Sequence, residues 1–141
     1  MARQQIAEAL YWDASAVLSA LLRDVHSAEA RREVNRRGAA HLISSLAAAE
    51  VHAVLSRLER ERVVTMTQAD EVRKRFAQGP WRRSLVQPDP ESLPRLARCH
   101  PLRGADLWHL GAATALAAQL PGLRMLTFDD RLRAAARNEG L

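Results

Sequence analysis

Three short strand-like segments, the first of them wholly apolar, constrain this chain more than any other feature. Residues 9–12, 41–43 and 124–127 each have the length of a buried strand, and residues 81–86 form a fourth candidate. Between them lie segments with helical spacing. Residues 14–25 carry apolar side chains at 17, 18, 21, 22 and 25, residues 28–37 form a charged helix stopping at Gly38, and residues 46–62 carry a stripe at 46, 51, 54, 55 and 58. Further helices are expected over 68–78, 93–99, 105–120 and 131–138, with Thr67 capping the first of them and Ser44 or Ser45 capping 46–62. Strands interleaved with helices need crossover connections, which build a parallel sheet covered on both faces. The expectation is an α/β fold of three layers, α/β/α, around a short, mainly parallel sheet. With 141 residues the chain builds one sizeable core, hence a single domain over 1–141.

In open parallel sheets the functional crevice lies at the carboxyl ends of the strands. Asp13 follows the first strand, Asp129 follows the last, and Asp106 falls in the first turn of the helix over 105–120. Each has a plain alternative as a helix cap or as a favourable charge at a helix N-terminus. Glu50 differs because it falls within a helix, on the line Leu46, Glu50, Val54, Leu58, along the apolar stripe. A carboxylate there must be paired or bound to metal, the plain alternative being a salt bridge to an arginine. Asp130 is a cap or a neighbour of Arg131.

If the four acids converge, their mutual repulsion is severe: two unit charges about 4 Å apart repel by about 4 kcal/mol at an effective dielectric near 20. Hard oxygen donors and a need for charge compensation point to Mg²⁺ or Mn²⁺. Zinc is disfavoured, because Cys99 is the lone cysteine and the five histidines have no zinc-site spacing. The fitting chemistry is phosphodiester hydrolysis, with Asp13 holding the main ion, Asp106 and Asp129 sharing the coordination, and Glu50 holding a water of the ion. Ser15 and Thr127 are candidates to orient ligands or phosphate, or to cap local turns.

Composition adds bounds. The net charge is +5, and Lys74 is the only lysine among 21 basic residues. An arginine-rich surface suits phosphate polyanions, although a bias toward Arg and Ala codons gives the same excess. The single cysteine excludes an internal disulfide, and the longest uncharged stretch, 107–123, is interrupted by His109, Gln119 and Pro121. A cytoplasmic protein with no membrane span is expected.

The order and setting of these acids resemble the PIN domain, and within it the VapC-type toxins. The segment from Tyr11 through Asp13 and Ser15 is similar to the family's opening strand, and Ser45 to Val51 to the segment carrying its helical glutamate. Arg103 to Ala115, with Asp106 and His109, looks like its third-acid helix, and Leu126 to Leu132 like its fourth-acid turn. The resemblance spans residues 11–141. It implies a Mg²⁺-dependent endoribonuclease with Asp13, Glu50, Asp106 and Asp129 as catalytic and metal-ligating residues, RNA as substrate, a homodimer, and inhibition by a cognate antitoxin. Family members often continue past the Gly140–Leu141 ending into a last edge strand, so the sheet edge here is expected to be shorter or completed by a partner. Of the Asp129–Asp130 pair, Asp129 is chosen because it stands two after Thr127.

Other readings differ in their demands. A phosphate-accepting domain needs a lysine or hydroxyl partner for its aspartate; Lys74 lies in a peripheral helix, and Glu50 has no role there. A non-catalytic PIN module binding RNA or protein has no reason to keep four repelling acids. A housekeeping RNA-processing nuclease uses the same residues. His109, one turn after Asp106, is read as a hydrogen-bonded packing histidine in preference to a site residue. Trp12 is read as core, and Trp81, beside Arg82 and Arg83, as the better surface candidate for base stacking, its plain alternative being a dimer or antitoxin contact, with Trp108 also considered.

Overall fold

The computed structural model describes residues 8–141. In chain order the elements are β1 (Glu8–Trp12), α1 (Ala14–Leu21), α2 (Ser27–Val34), β2 (Ala39–Ser44), α3 (Ser45–Arg60), α4 (Met66–Gln78), β3 (Trp81–Ser84), α5 (Leu93–Cys99), α6 (Gly104–Gln119), β4 (Arg124–Leu126) and α7 (Asp130–Asn138). The strands form one sheet in the order β3-β2-β1-β4. All three pairings are parallel: Leu10 stands opposite His41 and Arg124, and His41 opposite Trp81.

Pleating divides β1 between two cores. Leu10 and Trp12 join Ile43, Leu126 and the buried faces of α1 and α3 on one side, while Ala9 and Tyr11 meet Ala112, Ala113 and Leu116 of α6 on the other. A strand buried on both faces must be apolar throughout, which is why residues 9–12 show no alternation. A third cluster, Leu96, Leu110 and Leu132 with Ala135 and Ala136, ties α5, α6 and α7 together. The three-layer α/β/α arrangement around a parallel sheet is as expected.

Several boundaries move, each for a local reason. The first helix stops at Leu21, not at residue 25, because Asp24 accepts hydrogen bonds from the Ser19 hydroxyl and the His26 N–H and its own N–H donates to Ser27, making a turn; Val25 is left 91% exposed. The second helix ends at Val34, ahead of Gly38, which sits in the turn before β2 at φ 76°. Ser44 caps α3 by accepting from the Ala47 N–H. Thr65, not Thr67, caps α4, in a reciprocal capping box with Gln68. On α3 the buried stripe is Ala47, Ala48, Val51 and Leu55, so Glu50 lies at its margin and not on its centre line.

The sheet order reverses direction at β1. From β1 the chain builds outward through β2 and β3, then returns to place β4 on β1's other side. Such a switch point leaves a crevice beyond the carboxyl ends of the two diverging strands, here beyond Trp12 and Leu126.

Candidate active site

Asp13 stands at that crevice. Its backbone N–H donates to the Leu126 carbonyl at 3.2 Å, continuing the β1–β4 ladder by one bond. Its side chain is the N-cap of α1, Oδ1 accepting from the Ala16 N–H at 2.9 Å and the Ser15 hydroxyl at 2.7 Å. Oδ2 accepts from the Thr127 hydroxyl at 2.5 Å. Capping therefore occupies one oxygen and leaves the other facing β4. The residue is only 5% exposed, and this burial pushes its carboxyl pKa up, against the hydrogen bonds from Thr127, Ser15 and Ala16 and the nearby His109.

Thr127 links two acids, because its hydroxyl oxygen also accepts from the Asp129 N–H at 3.2 Å. Asp129 caps α7, with Oδ1 accepting from the Leu132 N–H at 2.9 Å. Asp130 is the exposed first residue of that helix. Asp106, in the first turn of α6, faces Asp129 across a cleft of about 280 Å³ lined by Pro101, Leu102, Arg103, Asp106, Asp129 and Arg131. Partial burial raises its pKa first, and the negative charges of Asp129, Asp13 and Glu50 raise it further, with His109 acting the other way. Asp106 thus senses the charges of the other three acids around the carboxyl ends of β1 and β4.

Glu50 reaches the group through His109. Its Oε1 lies 2.6 Å from His109 Nε2, while His109 Nδ1 lies 3.1 Å from the Tyr11 hydroxyl. The histidine is 2% exposed and joins α3, on one face of the sheet, to α6 on the other. The plain alternative for Glu50 was an arginine partner; its partner is a histidine, which packs and also touches a site residue.

Comparison with known proteins bears on this arrangement. The PIN domain profile matches residues 10–138, nearly the whole chain. The chain belongs to the PIN-domain family. Two curated relatives from Mycobacterium tuberculosis, Ribonuclease VapC45 of strain CDC 1551 / Oshkosh and Ribonuclease VapC49 of strain ATCC 25618 / H37Rv, are each 34% identical to it over 139 residues, covering 93% of this chain and 91% of theirs.

Within this PIN domain the acids surround a space and do not close on it. Among the described residues, no three Asp, Glu, His or Cys side chains come together as a ready ligand cage. The donor chemistry still fits a hard divalent cation. Asp13 Oδ2 accepts one hydrogen bond, Asp129 Oδ1 takes the capping bond, and Glu50 Oε1 takes the His109 bond, leaving acceptor capacity on each acid. Magnesium in particular keeps several waters and needs only one or two carboxylates, so an open arrangement suits it better than a closed cage.

Sequence reasoning passed over Arg103 and Arg131, whose side chains line the same cleft and enter no ion pair among the described residues. Their signal was available, since Arg103 stands three before Asp106 and Arg131 two after Asp129. Trp81 is corrected in the other direction: half-buried, it packs edge-on against Trp12 at 5.6 Å and beside Phe76 at 5.8 Å. Trp12 is core, as expected, and Trp108 packs half-buried against the α6 side of the sheet. No described helix is long and apolar enough to cross a membrane.

Proposed function

We propose that this PIN domain is a divalent-metal-dependent endoribonuclease, the toxin of a toxin–antitoxin module, with Asp13, Glu50, Asp106 and Asp129 as its active-site acids. The observation that carries the reading is Asp106, a carboxyl with no ion pair among the described residues, whose ionisation is opposed by partial burial and by the charges of Asp129, Asp13 and Glu50 at the switch point of the sheet. A carboxylate set that repels itself calls for a cation, and the relatives that are ribonucleases supply the substrate class.

Asp13, Asp106 and Asp129 would hold Mg²⁺ or Mn²⁺, with Glu50 beside them. When bound, the cation neutralises phosphate charge and makes water a stronger nucleophile at neutral pH. The chain's own part is positional. Ser15, Thr127 and the Ala16 N–H hold the Asp13 carboxylate in one orientation, so no rotamer search precedes binding. Arg103 and Arg131, which line the cleft, would receive RNA phosphates. Attack of water on phosphorus then breaks one P–O ester bond, leaving one phosphorylated end and one hydroxyl end. An antitoxin and a second copy of the chain are the partners this reading carries with it.

The deciding experiment is induced expression of wild type beside Asp13→Asn and Asp106→Asn, scoring growth and recovered RNA. Growth arrest with discrete RNA fragments, relieved by either substitution, is the expected result. Three soluble, harmless proteins would overturn the toxin assignment.

A further inference from the structure

Glu50 is 35% exposed on its side chain, on a helix that packs against the opposite face of the sheet from α6. Left to itself, a glutamate so placed has three torsions to order. The contact that orders it is the 2.6 Å approach of His109 Nε2. A carboxylate only accepts hydrogen bonds, so the proton in this contact belongs to Nε2. The other ring nitrogen, Nδ1, lies 3.1 Å from the hydroxyl of Tyr11, which is 1% exposed. A phenol keeps its proton at neutral pH and can donate it.

We infer that His109 is a positioning residue for Glu50: the Tyr11 hydroxyl donates to Nδ1, which leaves the ring proton on Nε2, and Nε2–H holds the Glu50 carboxylate toward the acidic crevice. The inference rests on the metal-nuclease reading for what Glu50 does, but the tautomer stands on geometry alone. The chain of contacts runs from the central strand through the buried ring to the one acid that lies on no strand end or helix start. It accounts for the burial of a histidine between two helical layers, where an apolar side chain would otherwise fill the space. Partners of this kind, which touch a ligand's ligand, are typically worth about 10- to 100-fold in metal affinity or activity.

The first test reads the ring directly. Long-range ¹H–¹⁵N spectra of the metal-free protein near neutral pH should show His109 with Nε2 protonated and Nδ1 bare, and Tyr11→Phe should erase that bias. A ring protonated on Nδ1, or on both nitrogens, would overturn the inference whatever the chain's activity. The second test is a Mn²⁺ titration without RNA. His109→Leu should bind about 10- to 100-fold more weakly than wild type, and His109→Gln, whose amide can still donate to Glu50, should recover most of the loss. Equal Mn²⁺ affinity in wild type and a folded His109→Leu would sink the positioning role alone. Should His109→Leu fail to fold, Tyr11→Phe decides: an intermediate loss of affinity supports the inference, and unchanged affinity overturns it. Absence of Mn²⁺ binding by wild type itself would instead bring down the metal-nuclease reading, with the tautomer still open to the spectra.

Discussion

The Thr127 hydroxyl donates to Asp13 Oδ2 at 2.5 Å while accepting from the Asp129 N–H at 3.2 Å, so one side chain sets the separation of two acids that are 116 positions apart in sequence. Thr127 is 1% exposed and holds this place because it follows β4 directly, opposite the residue that follows β1. Valine has nearly the same shape and neither donates nor accepts.

Thr127→Val should therefore damage the site without emptying the core. Losing the donor leaves a buried carboxylate short of a partner, a loss of about 1–3 kcal/mol in a denaturant titration. RNA cleavage should fall by about 10- to 100-fold, since the acid it orients is no longer held. Thr127→Ser, which keeps the hydroxyl, should retain most activity. Equal activity in the Val and Ser variants would show that the hydroxyl does not matter.

The raised pKa of Asp13 gives a pH signature with a definite sign. Burial puts its folded value above the ordinary value of 3.8, so the folded state favours the protonated acid. Its favourable contribution is fully present below the unfolded pKa and is lost as pH rises through the folded one. Asp13→Asn removes that loss, and the new amide can donate to Thr127. In chelator, the variant should gain stability over wild type progressively as pH is raised above about 4, as read from melting temperatures. Adding Mg²⁺ at neutral pH should stabilise wild type and leave the variant unmoved. Melting curves for the two proteins that stay parallel across pH would count against a costly buried carboxylate.

Much of the candidate site was legible because it follows strand ends. Asp13 and Asp129 could be picked out once the apolar runs before them were recognised as strands, and the resemblance of the surrounding segments to PIN domains made the choice firm. What could not be read lies in contacts between distant positions. Nothing local to Glu50 names His109 as its partner, because 59 residues separate them and the contact forms only when helices on both faces meet over the sheet. Nor could the end of the first helix be placed. Leu18, Leu21, Leu22 and Val25 continue a helical period that the hydrogen bonds around Asp24 interrupt. Thr65 as the cap of α4, in contrast, was legible: it alone of the two threonines has Gln68 three places on to close a capping box, a local signature that the choice of Thr67 overlooked.

Arg103 and Arg131 should reveal themselves through salt. If each meets an RNA phosphate, replacing either with Ala raises KM more than it lowers kcat. On single-stranded RNA, the slope of log affinity against log salt should shrink by about 0.7 for each phosphate that is no longer neutralised. Replacing Arg73, which is paired with Glu59 and Asp70 on α3 and α4, serves as a control and should leave the slope alone. An unchanged salt slope in the Arg103→Ala, Arg131→Ala double variant would remove both residues from the substrate path.

Trp81 permits a sharper separation of packing from recognition. Its ring packs on Trp12 and Phe76, and a Cβ added at Gly79 would approach its ring carbons to 2.4 Å, so the indole is pinned from several sides. Its Nε1 is buried with no hydrogen-bond partner among the described residues. A buried N–H without an acceptor costs about 1–3 kcal/mol, which the ring's packing has to outweigh. Trp81→Phe keeps an aromatic face for Trp12 while deleting the orphaned donor, so lost volume and relieved desolvation oppose each other. The net change in stability should stay within about 1.5 kcal/mol. Trp81→Ala removes the ring altogether and should cost about 3–5 kcal/mol. Neither the Phe variant's KM for RNA nor its salt dependence should differ from wild type, because the ring faces the core. A large rise in KM for Trp81→Phe at unchanged stability would return Trp81 to the RNA surface and contradict the packing account.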